Sequence, residues 1–211
     1  MYSKGTVGGL PLRIITNRLE IIPYNRPQLE KAINDPSGAA QEIDAIYGTV
    51  PYEIERSKRK VYAMKLGIID ENPKAWLFAT VWIIISRQSR LIVGEIGFKG
   101  LRANGEVELG YGTRQDSRCR GIMTEAIEAL CRFAFEQQDF PIQKITAVTR
   151  KNNHASETVL LKNGFTKRAS RFGMNYWIKM NDANAGSRKR SVEDKEMEKQ
   201  TRYDSEQQKR K

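Results

Sequence analysis

The sequence predicts a mixed α/β domain, and three stretches carry that expectation. Residues 76–98 hold two β-rich runs, Glu106–Thr113 alternates and leads into an amphipathic helix, and residues 145–180 read as strand, helix and hairpin. In chain order, residues 19–24 form a first strand. Residues 28–46 carry helical segments broken near Pro36-Ser37-Gly38, and residues 52–66 form a second helical region. Runs 76–85 and 91–98 are strands joined by the polar Ser86-Arg87-Gln88-Ser89-Arg90, an antiparallel hairpin. In the next strand Val107, Leu109 and Tyr111 share one face and Glu106, Glu108 and Gly110 the other. The helix after it has Met123, Ala126, Ile127, Leu130, Phe133 and Ala134 on one stripe, with Glu125, Glu128, Arg132 and Glu136 facing away. A short strand at 145–148 follows, then a helix over 153–163 ended by Gly164, then a hairpin over 166–180 turning near Phe172-Gly173.

The chain of 211 residues suits one domain with appendages. Hydrophobic residues are 39%, charged residues 29% and the mean hydropathy is -0.59, so the polar excess should be localised. It falls after Met180: residues 183–211 hold one aromatic and nine Lys or Arg against six Asp or Glu, a charged tail expected to be disordered. The expected organisation is an extension over 1–15, a domain over 16–182 and this tail. Of the net +11, the tail carries +3 and residues 1–182 carry +8, which favours an anionic partner such as a phosphorylated cofactor or RNA. The Arg188-Lys189-Arg190 run reads first as solvated tail and second as a weak RNA contact. The longest apolar run, residues 76–85, is half of the roughly 20 residues a membrane span needs, so no membrane association is expected. The N-terminal stretch has no secretory h-region, which makes the cytoplasm the default location.

Two cysteines, Cys119 and Cys131, and one histidine, His154, are too few for a disulfide framework or a zinc site, so no metal is expected. Neither G-x-S-x-G, G-x-x-x-x-G-K-[ST] nor G-x-G-x-x-G occurs, which disfavours triad hydrolases, nucleoside triphosphatases and Rossmann cofactors. What stands out is a strand, a basic turn with Arg118, Arg120 and Gly121, and a helix start. Free N–H groups and the helix dipole there make an anion cradle. An ordinary strand-to-helix turn with two solvated arginines is the other account of the same residues.

The run Arg118-Cys119-Arg120-Gly121-Ile122-Met123-Thr124-Glu125-Ala126 resembles the acetyl-CoA pyrophosphate loop, Q/R-x-x-G-x-G/A, of the GNAT N-acetyltransferases. Met123 departs from the small last residue and falls on the apolar stripe. Downstream, Asn153-His154-Ala155-Ser156 with Val159-Leu160-Leu161-Lys162-Asn163-Gly164-Phe165 resembles the N-x-x-S…G-F helix of the ribosomal-protein N-terminal acetyltransferase branch (RimJ/RimL-like). Thr16-Asn17-Arg18-Leu19 and Glu108-Leu109-Gly110-Tyr111 resemble that branch's opening and fourth strand. The resemblance spans residues 16–180. It implies the GNAT fold: a mixed, strongly twisted central sheet flanked by helices and splayed at the acetyl-CoA site. Backbone groups of Leu109, Gly110 and Tyr111 would bond pantetheine, Arg118 to Thr124 would hold the pyrophosphate, and Asn153 would cap a helix, touch pantetheine, or both.

The implied reaction is acetyl transfer by direct attack of an amine, with no metal. An α-amine of pKa roughly 7.7–8.0 needs only modest help from a base. Glu108 is the candidate base, with Glu106 as alternative; a solvated carboxylate is the other account of Glu108. Many members place a tyrosine acid four residues before the helix-ending glycine, where this chain has Leu160, which leaves Ser156 to protonate the thiolate. Cys119 reads as a tolerated loop thiol, Cys131 as a helix residue, His154 as solvated, and Trp76, Trp82 and Trp177 as packing residues. The favoured acceptor is the N-terminal α-amine of a ribosomal or other protein. An aminoglycoside or polyamine acceptor, and a non-catalytic RNA- or CoA-binding module, are the alternatives.

Overall fold

The computed structural model describes residues 12–181, so the expected tail and most of the expected extension lie outside the described residues. Nearly all of the described residues belong to a unit that ends at Lys179; a second begins at Met180. Strand β1 is Ile14–Ile15, β2 Leu19–Pro23, β3 Trp82–Ser86, β4 Ile92–Leu101, β5 Glu106–Thr113, β6 Lys144–Arg150, β7 Thr166–Arg171 and β8 Met174–Met180. They make one eight-stranded sheet in the order β1-β2-β3-β4-β5-β6-β8-β7. β1 to β5 pair antiparallel in succession, β5 and β6 run parallel, and β7 and β8 form a closing antiparallel hairpin. Parallel neighbours need a crossover, supplied by the helix α4, Ile122–Phe135.

The apolar stripe read from residues 123–134 is the buried face of α4. It packs with Trp82, Ile84, Ile96, Phe98, Val107, Leu109, Ile145, Ala147 and Trp177 on one side of the sheet. Helix α5, His154–Lys162, adds Leu160 to that core. The other side is covered by α1 (Arg26–Asn34), α2 (Pro36–Gln41) and α3 (Tyr52–Glu71), whose core includes Leu29, Ala39 and Tyr62 against Ile22, Ile83 and Ile85. The break expected near Pro36 falls at Asp35, which ends α1 and whose side chain accepts the Gly38 N–H of α2.

The run 76–85 is not one strand. Pro73 opens a 3-10 helix, Pro73–Phe78, so the strand starts only at Trp82. The tight turn sends Trp76 to one core and Phe78 to the other, and the Trp82 indole N–H closes back on the Leu77 carbonyl at 3.0 Å. A β-rich composition cannot distinguish these states because both bury Trp, Leu and Phe. The turn lies tight on the sheet: a Cβ on Gly97 would stand 2.6 Å from the Thr80 carbonyl oxygen. Lys65 of α3 holds the same place, its Nζ donating to the carbonyls of Ala79, Thr80 and Phe98 at 2.8, 3.1 and 2.7 Å. Among the described residues no helix is long and apolar enough to cross a membrane.

Phe98 is fully buried and stacks against Phe78 with ring centroids 5.7 Å apart. Phe98→Ala is therefore expected to lower unfolding stability by about 3–5 kcal/mol, read as a fall in the urea midpoint.

Candidate active site

β5 and β6 pair only along part of their length. Their register runs from Glu106↔Lys144 to Leu109↔Ala147. β5 continues to Thr113 bonded to β4, through Gly110↔Gly97, Tyr111↔Ile96, Gly112↔Glu95 and Thr113↔Gly94, while β6 continues to Arg150. The two strands part after Leu109, and every second residue of Gly110 to Thr113 turns its backbone groups to the side β6 has left. The splay expected between these strands is present.

The chain then reaches the basic turn. Gln115–Ser117 makes a short 3-10 turn, Arg118 is extended, and Cys119 and Gly121 take positive φ of 59° and 73°. Gly121 is the N-cap of α4 and brings no side-chain cap. The first N–H groups of α4 are therefore left for a ligand or solvent. Arg118, Cys119 and Arg120 are exposed, while Met123 is buried beneath. A left-handed residue without Cβ at the head of a helix is the backbone an anion-binding loop requires.

Opposite the turn stands a long-range constraint that sequence reasoning missed. Glu125, in the first turn of α4, accepts from the Thr16 hydroxyl at 2.6 Å, the Arg18 N–H at 3.0 Å and Arg18 Nε at 2.7 Å. Arg18 Nη1 also donates to the Arg120 carbonyl at 2.8 Å. Burial alone would raise the Glu125 pKa, but the bonds from Thr16 and Arg18 bring it below the usual value. A carboxylate this near an anion cradle would repel its ligand, and Arg18 neutralises it. The signal available was an acidic residue in a first helical turn and the quoted Thr16-Asn17-Arg18.

On the far side of the parting, Asn153 caps α5 by accepting the Ser156 N–H at 3.2 Å. The Tyr111 hydroxyl donates to the Ser156 carbonyl at 3.3 Å and so bridges β5 to α5. Leu160 is fully buried, where no group of it could reach a substrate. Gly164 at φ 75° ends the helix, with Phe165 N–H on the Leu160 carbonyl and Gly164 N–H on that of Leu161, the paired bonds of a Schellman turn. His154 is exposed, and Arg150, Lys151, Asn152 and His154 line an open recess with Gly173 and Met174.

Glu106 and Glu108 share the face turned away from α4, as alternation requires. Glu106 is buried and held by Lys144, Arg102, Asn104 and Thr146. The Lys144 hydrogen bond outweighs burial and keeps its carboxyl below the usual range. It ties the start of β5 to β6 and to the β4–β5 turn. Glu108 is half-buried, bonded to Lys99 and 3.5 Å from Arg102 Nη2. Trp82 and Trp177 pack in the core, and Trp76 packs against the α1–α3 side.

Comparison with known proteins places this chain, with its parted sheet and uncapped helix start, among the acetyltransferases. The acetyltransferase (GNAT) domain model matches residues 18–166, and the chain belongs to that family: it is a GNAT N-acetyltransferase. It is 32% identical over 164 residues, 77% of this chain and 95% of the relative, to the uncharacterized N-acetyltransferase YjdG of Bacillus subtilis (strain 168). Its fold is similar to that of RimL, a ribosomal-protein α-N-acetyltransferase, in complex with coenzyme A. The TM-score is 0.57 at 16% identity, covering 81% of this chain and 99% of that one. The ribosomal-protein-alanine acetyltransferase of Vibrio fischeri gives 0.56 at 15% identity, with 81% and 97% covered.

Two outcomes follow from the charge pairs. Glu125→Ala, which frees Arg18 and Thr16, is expected to cost about 1–2 kcal/mol, read by thermal unfolding. Because the folded pKa of Glu106 is depressed, its contribution is present above the unfolded value near 4.5 and lost as pH falls below it. The parent should therefore lose stability more steeply than Glu106→Gln in urea titrations between pH 5 and 3.

Proposed function

We propose that this enzyme uses acetyl-CoA as donor and acetylates a primary amine, above all the N-terminal α-amine of a protein. The observation that carries the donor is the junction of parted strands with the uncapped start of α4. The residues present fit the group. Pantetheine carries amides along an extended chain, and the unpaired side of β5 from Gly110 on offers the complementary backbone groups. The N–H groups at Gly121, Ile122, Met123 and Thr124, with Arg118 and Arg120, fit a pyrophosphate. RimL, of like fold, is known with coenzyme A.

When bound, acetyl-CoA would supply an acetyl group activated as a thioester. Leu109, Gly110 and Tyr111 orient it by backbone contacts, Tyr111 fixing the distance to α5 through Ser156. We assign the return of a proton to the sulfur to the Ser156 side chain, half-buried on the first turn of α5. A thiol of pKa about 8.5 leaves readily as thiolate, so little acid help is required, which agrees with Leu160 in the core. For the acceptor, two facts favour a protein on an RNA-rich particle: the net +11 of the chain, and the name of RimL as a ribosomal-protein α-N-acetyltransferase. A polyamine or aminoglycoside would seek an acidic entrance.

Calorimetry should show acetyl-CoA binding to the parent, and Gly121→Glu should abolish it, since a carboxylate and a left-handed Cβ both oppose the pyrophosphate. Peptides with free N-termini should be acetylated faster than polyamines or aminoglycosides. Turnover of those small amines with none for peptides would replace the acceptor. A parent that fails to bind acetyl-CoA, or a Gly121→Glu variant that binds it as the parent does, would remove the donor.

A further inference from the structure

The face of the sheet opposite α4 carries a second polar cluster beside the parting. Glu95 of β4 lies across from Gly112 of β5, and a Cβ on Gly112 would meet nothing within 4 Å, so the sheet face is open at Glu95's cross-strand neighbour. Lys58 of α3 pairs with Glu95, and Tyr62 lies in its field. Lys65, Tyr24 and Tyr47 lie within its field. Lys58 and Arg114 both sit over the Tyr47 ring, at 5.6 and 4.6 Å from its centroid. Arg114 Nε and Nη2 are buried with no hydrogen-bond partner, the mark of a place that a polar ligand or solvent completes.

We infer that Glu95, rather than Glu108, takes the proton from the acceptor amine; the inference rests on the acetyl-transfer reading above. The pyrophosphate end of the donor belongs to the α4 side, which leaves the opposite face of the parted strands for the attacking nitrogen. Glu95 stands on that face at the level of Gly112, inside the parted section. Glu108 stands four residues earlier, about 13 Å along the strand, where β5 is still paired with β6 at Thr146, and both its oxygens are engaged by Lys99 and Arg102.

In the step, the acceptor ammonium gives one proton to the Glu95 carboxylate and becomes a neutral amine. Its nitrogen forms a bond to the thioester carbon, the carbon–sulfur bond breaks with its electrons on sulfur, and the second nitrogen proton ends on the thiol. Glu95 then releases its proton to solvent.

The test is the pH profile of acetyl transfer to a peptide N-terminus, with acetyl-CoA affinity measured alongside. Glu95→Gln should lower kcat about 100-fold near neutral pH, leave acetyl-CoA affinity unchanged, and recover toward the parent above the amine's own pKa of about 7.7–8.0. Glu95→Asp, which keeps a carboxylate, should hold kcat within about tenfold of the parent; it serves should Glu95→Gln fail to fold. An active parent whose Glu95→Gln keeps its kcat and profile, or whose Glu95→Asp loses as much as Glu95→Gln should, overturns the inference alone. So does a loss of kcat in Glu108→Gln but not in Glu95→Gln. A parent that binds acetyl-CoA and acetylates no amine overturns the proposed function, and the inference with it.

Discussion

The separation of β5 from β6 after the Leu109–Ala147 pair is the constraint around which this molecule is arranged. A sheet strand that loses its neighbour leaves backbone donors and acceptors that must find partners. Here they open next to a helix end that is equally short of partners. Two sets of unsatisfied backbone groups, one along β5 and one at α4, thus face the same volume. β4 stays bonded to β5 through Thr113, so the parted strand remains supported from one side. The crossover helix returns the chain to β6 and keeps the gap from closing.

Ion pairs hold the edges of this opening. Arg18 and Thr16 tie the start of β2 to α4 through Glu125, and Lys144 and Arg102 tie β6 and the β4–β5 turn to Glu106. In each, an acidic group in or beside the sheet is matched by cations, so little negative charge is left facing the volume that a phosphorylated ligand would enter. In the loop, Arg118 and Arg120 are exposed.

Legibility in the sequence followed the range of the interaction. The α4 stripe, the alternation of β5 and the Gly164 stop are local patterns, and each appears in the structure where its spacing put it. The 3-10 turn at Pro73–Phe78 was hidden because aromatic and aliphatic residues look alike in a strand and in a packed turn; only its proline hinted otherwise. Arg18 and Glu125 are 107 positions apart, and Glu95 meets Lys58 across 37; no periodicity encodes such contacts. The turn from Arg118 to Gly121 and the helix behind it could be placed from the sequence, whereas the point where β6 leaves β5 could not, because alternation puts Glu106 and Glu108 on a face without telling where the pairing ends.

The two cysteines have opposite fates that matter at the bench. Burial pushes the Cys131 thiol up to about 12 and closes it to solvent, while Cys119 stands exposed in the loop with a left-handed backbone. Among the described residues these are the only thiols, so an alkylating dye should attach at one place without any engineering. That place is two residues from the helix cap, which would turn the native chain into its own optical gauge of the acetyl-CoA binding proposed above.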